Sequence, residues 1–218
     1  MITYSRNLPH YHPAGQTYII TFRLHGSIPL VLLNQIKDQY EIKKNELFLL
    51  HGKERDFNSM LYSLQKMYFL KFDELLDKAY DSPIWLKDDR IAEIVSKKMF
   101  EFDNLKYELI VFSIMPNHVH FVIHPNEDLE TSVTNISGKT KNYVIADIMR
   151  LLKGSTARDS NLILNRSGSF WHHESYDHVV RNQTELNNII RYVLYNPVKA
   201  GLVENWFDWK WNYCKYDV

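Results

Sequence analysis

Cysteine is nearly absent from this sequence, and so is any stretch that could take the chain across a membrane. Cys214 is the only cysteine among 218 residues, which excludes an internal disulfide. Residues 1–30 contain no basic segment followed by an apolar one, and no apolar run approaches the roughly 20 residues that span a bilayer. We therefore expect a cytoplasmic protein with no membrane partner.

The sequence also lacks a net charge of either sign. It contains 26 Lys and Arg residues against 26 Asp and Glu residues. This balance argues against a surface that is basic all over, which general nucleic-acid binders have. Residues 139–166 nevertheless carry a local surplus of four positive charges, from six basic and two acidic residues. The surplus fits a local nucleic-acid surface or the solvated face of an ordinary helix, and charge alone leaves both readings open.

A short stretch with two closely spaced histidines is the most informative part of the chain. Pro116 and Asn117 predict a tight turn between two strands, the second of which begins at His118. Side chains alternate along a strand, so one face should carry His118, His120, Val122 and His124. The other face, which should face the core, carries Val119, Phe121 and Ile123. The imidazoles of His118 and His120 should then lie side by side, close enough to hold one metal ion. We expect His124, further along the strand, to lie outside that metal site.

Hydrophobic periodicity predicts an α+β fold. The predicted elements are a strand over 16–25, helices over 30–50, 60–80 and 88–102, a hairpin over 107–124, a helix over 139–157, a short strand ending near 181 and a last helix from 182 to 196. Two strand–helix–strand halves in this order predict a ferredoxin-like sandwich with an antiparallel sheet. We expect a single domain over residues 1–218, with a helical insertion after the first strand at about residues 31–86.

The last predicted helix places two polar residues beside its apolar stripe. Asn182 has the character of an N-terminal cap, and Pro197 is expected to end the helix. Tyr192 and Asn196 lie one turn apart on this helix, so both can face a partially buried site. Tyr195 points to the opposite side, and we expect it to be exposed.

Four motifs, taken with this order of elements, resemble a known family. The motifs are MPNHVHFVI, LKGSTAR, FWHHESYDHVVR and RYVLYNPVKAGL. A histidine pair on a strand, with a tyrosine on a following helix, resembles the single-tyrosine HUH transposases, which include insertion-sequence transposases and the REP-associated tyrosine transposases. The resemblance covers residues 18–25, 105–124 and 139–213, whereas residues 31–86 match no part of the family that we can place.

The resemblance implies a fold and a set of site residues. The histidine strand would be central in the sheet, with the first strand beside it, and the C-terminal helix would carry the nucleophile. That nucleophile maps onto Tyr192, and the metal ligands map onto His118, His120 and Asn196. Mg²⁺ prefers oxygen ligands and Mn²⁺ tolerates imidazole better, so the resemblance leaves both ions open.

The activity implied is cleavage and rejoining of single-stranded or hairpin DNA through a 5′-phosphotyrosine intermediate, that is, a metal-dependent transposase or nickase. The residues expected to bind DNA are Arg23, His25, Lys139, Lys141, Arg150, Lys153, Arg158 and Arg181. For Arg150 and Lys153, simple solvation of the helix face is an equal alternative. His172 and His173 are expected at the surface.

Two other functions stay open at this point. The protein could be a domesticated, catalytically inactive module that binds hairpin DNA, because binding needs only the fold and a basic surface. It could also be a metal-dependent nuclease that uses an activated water instead of Tyr192. The resemblance does not decide between a monomer and a homodimer, because the family contains both dimeric and monomeric members.

Overall fold

The computed structural model describes residues 15–52, 55–78, 82–126, 133–134, 140–141 and 144–217. The chain forms two compact units, one made of residues 26–83 and the other of residues 1–25 together with residues 84–218. Within the described ranges, no helix is both long enough and apolar enough to cross a membrane. The prediction of one domain over residues 1–218 with an insertion at about 31–86 stays a prediction.

The described residues form strands, α-helices and short 3-10 helices. The strands are β1 (Thr17–Arg23), β2 (Tyr107–Ile114), β3 (His118–Pro125), β4 (Val133–Thr134), β5 (Thr140–Lys141), β6 (Tyr176–Val180) and β7 (Asn212–Cys214). The α-helices are α1 (Leu30–His51), α2 (Phe57–Asp77), α3 (Asp89–Phe102), α4 (Val144–Ile163) and α5 (Gln183–Lys199). Short 3-10 helices cover Trp85–Lys87 and Trp206–Asp208.

The larger unit is built on an antiparallel sheet with the strand order β6-β1-β3-β2-β7. Helix α3 lies between β1 and β2 in the chain, and α4 lies between β3 and β6. This order of four strands and two helices is the ferredoxin-like arrangement, so the predicted fold class is confirmed. Strand β3 is central, with β1 on one side and β2 on the other, as the resemblance implied.

One face of this sheet forms the main core with helices α3 and α4. Phe121 of β3 packs edge-on against Phe22 of β1 and Tyr107 of β2, with ring centroids 6.4 and 5.2 Å apart. The Tyr107 hydroxyl donates a hydrogen bond of 2.8 Å to the carbonyl of Met99 in α3, which satisfies its buried polar group. Val119, Phe121 and Ile123 of β3 therefore face the core, as alternation predicted, and the histidines are left on the opposite face.

Helix α4 differs from its prediction at both ends. The prediction began the helix at 139, but residues 140–141 form a strand and the helix begins at Val144. At the other end it continues to Ile163, past the predicted end at 157. Thr156, one residue before the predicted end, is buried, and its hydroxyl accepts a hydrogen bond of 2.9 Å from the Trp171 indole. Tertiary packing of this kind outweighs the weak helix propensity of a Gly- and Ser-containing stretch, because propensities are worth at most about 1 kcal/mol per residue.

The smaller unit is a helical hairpin. Helices α1 and α2 pack against each other, and Tyr40 meets Tyr68 edge-on with ring centroids 5.2 Å apart. Near the ends of the helices, a second contact joins the rings of Phe48 and Phe57 at 6.0 Å. Tyr68 therefore serves in the packing of the two helices.

Candidate metal and nucleophile site

The two predicted ligand histidines converge on the face of β3 that lies away from the main core. The Nε2 atoms of His118 and His120 are 3.1 Å apart, and their rings are nearly perpendicular. Both side chains are almost completely buried. Buried imidazoles must be hydrogen bonded or bound to a metal, because a buried polar group without a partner costs several kcal/mol.

Helix α5 brings the two other predicted site residues to this pair. The Asn196 side-chain amide lies 2.9 Å from Nε2 of His120. The Tyr192 ring lies edge-on to the His120 ring, with centroids 5.6 Å apart. Tyr192 is partly exposed and Asn196 is buried, whereas Tyr195 is half exposed on the other side of the helix. The four residues His118, His120, Tyr192 and Asn196, predicted from motifs 72 or more positions apart in sequence, therefore come together around one point.

Local contacts define the start and the end of α5. Asn182 caps the helix, with its side-chain oxygen accepting a hydrogen bond of 2.9 Å from the backbone N–H of Glu185. Contrary to prediction, Pro197 does not end the helix, which continues to Lys199. The proline lacks the donor for the carbonyl four residues earlier, but the helical bonding resumes after it, because the Ala200 N–H donates to the Asn196 carbonyl at 2.9 Å. Gly201 follows the helix end, and its φ of 69° is a conformation that suits glycine.

Two residues that sequence reasoning did not assign to the site support the histidines from behind. The Nδ1 atom of His118 lies 2.7 Å from Oδ1 of Asn117, and the Nδ1 atom of His120 lies 2.9 Å from Oγ1 of Thr21. Thr21 stands directly opposite His120 in the pairing of β1 with β3. The sequence showed Thr21 as one polar residue of an alternating strand and Asn117 as a turn residue. Only the strand register reveals that both reach the imidazoles.

The donor set fits a divalent metal ion. Metal-bound imidazole nitrogens lie about 2.0–2.2 Å from the ion, so neighbouring nitrogens on one ion are about 3 Å apart, and the separation of 3.1 Å between the two Nε2 atoms matches this. A half-turn of the Asn196 amide brings its oxygen to the place of its nitrogen, which supplies an oxygen ligand. This group could therefore bind a metal. His124 does not take part in this contact, because its Nδ1 lies 3.1 Å from Oγ1 of Thr17.

Arg23 is the predicted DNA-binding residue closest in register to the histidine pair. It stands opposite His118 in the β1–β3 pairing, and it is buried. Burial lowers the pKa of Arg23 to about 10, against the opposing effect of Glu174, so the guanidinium is still charged at neutral pH. The buried cation lies on the same face of the sheet as His118, because directly opposite residues of an antiparallel pair share a face.

The segment after Trp171 surrounds this cation, and one histidine in it is more buried than predicted. The His172 backbone N–H donates to the carbonyl of Arg23 at 2.8 Å. Burial, and then the charge of Arg23, lower the pKa of the His172 imidazole to about 4. The expectation that His172 lies at the surface is therefore wrong, whereas His173 is exposed. A histidine inside a polar stretch gives no sequence signal of burial.

The remaining predicted DNA-binding residues fall into different environments. The Lys153 ammonium donates to the carbonyls of residues 172, 173 and 174 at 2.9, 3.2 and 3.4 Å, so it holds this segment against α4. Arg150 is exposed and lies 3.4 Å from Asp147, its partner on the same helix. The exposed members of the set are His25, Arg150, Arg158 and Arg181. Lys141 belongs to β5, its side chain lies outside the described part of the chain, and so does all of Lys139.

Comparison with known proteins gives one curated relative. Over 131 residues, or 60% of this chain and 72% of the relative, the sequence is 27% identical to the Haemophilus influenzae protein described as "Putative REP-associated tyrosine transposase". The chain is similar in sequence to a REP-associated tyrosine transposase. No protein-family model matches the sequence. The resemblance predicted from the four motifs is confirmed by this relative.

A solved structure supports the same relation at the level of the fold. The fold of this chain is similar to that of a REP-associated tyrosine transposase bound to a REP hairpin, with a TM-score of 0.50. The match covers 97% of this chain and 82% of the other, at 14% identity. At that identity the similarity shows the shared fold, and it includes the five-stranded sheet on which the histidines are placed.

Proposed function

We propose that this protein is a transposase that cleaves and rejoins single-stranded or hairpin DNA, with Tyr192 as the nucleophile. The observation that carries the proposal is the position of the Tyr192 ring, 5.6 Å from the ring of His120, beside a pair of convergent imidazole nitrogens. The transposase relative supports the class of reaction. The solved neighbour, which binds a REP hairpin, supports hairpin DNA as the class of substrate.

The proposed chemistry begins at the phenol. A free tyrosine has a pKa of about 10, so only about one molecule in a thousand is a phenolate at neutral pH. Attack by the Tyr192 oxygen forms a phosphorus–oxygen bond and breaks the bond from phosphorus to the 3′ oxygen. The phenol releases its proton and the leaving 3′ oxygen takes one up. The products are a 5′-phosphotyrosine and a free 3′ hydroxyl, and because the phosphodiester energy is retained, another 3′ hydroxyl can reverse the step and join strands.

His118, His120 and Asn196 are the proposed ligands of a divalent cation, Mg²⁺ or Mn²⁺. Such an ion, when bound, neutralises the charge that develops on the scissile phosphate. The chain's own contribution is to hold two nitrogens and an amide at fixed positions, and to hold Tyr192 one helical turn before the amide. Two imidazoles and a single oxygen ligand suit Mn²⁺ better than Mg²⁺, which prefers oxygen throughout.

The DNA backbone is proposed to run across the same face of the sheet. In this proposal Arg23 supplies a buried positive charge beside His118, and the exposed cations contact phosphates further out. Lys153 is the weakest member of this set, because its ammonium already donates to three carbonyls. The proposed DNA-binding set is Arg23, His25, Lys139, Lys141, Arg150, Lys153, Arg158 and Arg181.

The test uses labelled hairpin DNA taken from inverted repeats that flank the gene, incubated with the protein and Mn²⁺. A covalent adduct that survives SDS should form with the native protein, and Tyr192→Phe should abolish it. Tyr195→Phe is a matched control, because Tyr195 lies on the same helix but faces Trp206, with ring centroids 6.5 Å apart. An adduct that persists in Tyr192→Phe would refute Tyr192 as the nucleophile.

The other outcomes separate the alternatives. Tight hairpin binding without cleavage in any divalent metal would indicate an inactive binding module. Cleavage without a covalent adduct would indicate a nuclease that uses activated water. The homodimer stays a proposal that light scattering of the purified protein, with and without hairpin DNA, tests directly.

A further inference from the structure

The hydrogen bonds behind the two imidazoles decide which ring nitrogen carries a proton. In a neutral imidazole one nitrogen is a donor and the other is an acceptor. The Nδ1 atom of His118 faces the side-chain oxygen of Asn117 at 2.7 Å, and that oxygen can only accept. The proton of His118 is therefore on Nδ1, and its Nε2 presents a lone pair toward His120.

Thr21 differs from Asn117 because a hydroxyl can both donate and accept. When Nε2 of His120 donates to Nε2 of His118 across 3.1 Å, Nδ1 of His120 accepts from the Thr21 hydroxyl at 2.9 Å. When both Nε2 atoms must offer lone pairs to one cation, the proton of His120 has to be on Nδ1. The Thr21 hydroxyl then rotates its own hydrogen away, and its oxygen accepts the hydrogen bond that Nδ1 of His120 donates. The Asn196 amide nitrogen lies 2.9 Å from the same Nε2 of His120 and can donate to it only while that atom offers a lone pair. The amide therefore turns its oxygen toward the protonated Nε2 in the first arrangement and toward the cation in the second.

We propose that Thr21 is a positioning residue for the metal site, whose hydroxyl allows His120 to change tautomer and then holds it in the form that binds a cation. The inference rests on the proposed metal site. Partners of this kind behind a ligand histidine fix its tautomer and orientation, and their loss typically weakens metal binding by about 10- to 100-fold.

The chain contains its own control for this contact. Thr17 lies on the same face of β1, four residues before Thr21, and its Oγ1 lies 3.1 Å from Nδ1 of His124 on β3. The two threonine–histidine pairs join the same strands with the same atoms. They differ in that His120 belongs to the convergent pair and His124 does not. An effect found at Thr21 and missing at Thr17 is therefore not a general effect of removing a hydroxyl from β1.

The experiment measures Mn²⁺ affinity by calorimetry, and by the electron paramagnetic resonance signal of free Mn²⁺, for the full chain without DNA. Thr21→Val keeps the shape and the strand preference of threonine but removes the hydroxyl, and it should weaken binding by about 10- to 100-fold. Thr21→Ser and Thr17→Val should both stay within about threefold of the native protein. Circular dichroism and thermal melting confirm that each variant is folded.

A second measurement reads the tautomer itself. Nitrogen-15 NMR of histidine-labelled protein saturated with Zn²⁺, which is diamagnetic, should show His120 protonated at Nδ1 in the native protein and in Thr21→Ser. In Thr21→Val, the proportion of this tautomer without metal should change. If Thr21→Val does not fold, Thr21→Ala compared with Thr21→Ser isolates the hydroxyl instead.

The failures of the two proposals are distinguishable. If the native protein binds no divalent ion, the proposed metal site is refuted, and the inference falls with it. If the native protein binds Mn²⁺ and Thr21→Val binds it as tightly, the inference alone is overturned. Equal weakening in Thr21→Val and Thr17→Val would also overturn it, because the effect would then belong to the strand pair and not to His120.

Discussion

Replacing His172 with glutamine should remove much of the acid sensitivity of this protein's folding. Burial, and then the nearby charge of Arg23, lower the pKa of His172 to about 4, whereas an unfolded histidine has a pKa of about 6.5. Between these values the unfolded chain binds a proton that the folded chain does not. The stability contributed by neutral His172 is therefore complete above pH 6.5 and is lost as the pH falls toward 4.

The size of the effect follows from the same shift. Lowering the pKa from about 6.5 to about 4 corresponds to at most about 3.5 kcal/mol over the whole range, since each pKa unit is worth about 1.4 kcal/mol. His172 is only partly buried, and solvent screening reduces this figure to about 1–2 kcal/mol. Between pH 7.5 and pH 5, we expect about 1 kcal/mol of the native protein's loss in unfolding free energy to come from this residue.

Urea unfolding at pH 7.5 and pH 5, followed by circular dichroism, measures this contribution. His172→Gln should lose about 1 kcal/mol less stability than the native protein between the two pH values. His173→Gln, the same substitution at the exposed neighbour, should retain the native pH dependence. If His172→Gln loses as much stability as the native protein, the imidazole is not held neutral by its surroundings and the reasoning about the buried Arg23 cation fails.

Three further substitutions test how the site is supported, each by urea unfolding at neutral pH. Lys153→Met should destabilise the protein by about 1–3 kcal/mol, because three carbonyls of residues 172–174 lose their charged donor; an effect on DNA binding alone would contradict this. Tyr107→Phe should cost about 1 kcal/mol by leaving the Met99 carbonyl without its donor, and an unchanged midpoint would show that water replaces it. Asn182→Ala should cost about 1 kcal/mol by removing the cap of α5, whereas Asn182→Ser should restore most of it.

The elements with strong periodicity were predicted well. Strand β3 and its turn follow directly from alternation after Pro116, and α3 ends at Phe102 as predicted. Helix α4 was misplaced at both ends because its C-terminal half is stabilised by contacts such as that of Thr156 with Trp171, 15 residues away. Strand β7 was missed because it is three residues long and forms only by pairing with β2.

In the candidate site too, some features were predicted from local spacing and others were not. The histidine pair and the Tyr192–Asn196 turn were recognisable from spacing within one strand and within one helix. The burial of His172 was not, because it depends on a segment folding back over β1. Pro197 was read as a helix end because proline usually stops a helix, yet the N–H of Ala200 still donates to the Asn196 carbonyl and the helix continues to Lys199.

By itself, the sequence determined which side chains share a face: alternation along β3 and the turn of α5 are local consequences of backbone geometry. Tertiary structure alone decided which faces meet. Asn196 reaches His120 across 76 positions of sequence, and Thr21 reaches the same histidine across 99. Such contacts depend on strand order and register, which are set by the whole core, and no local pattern contains them.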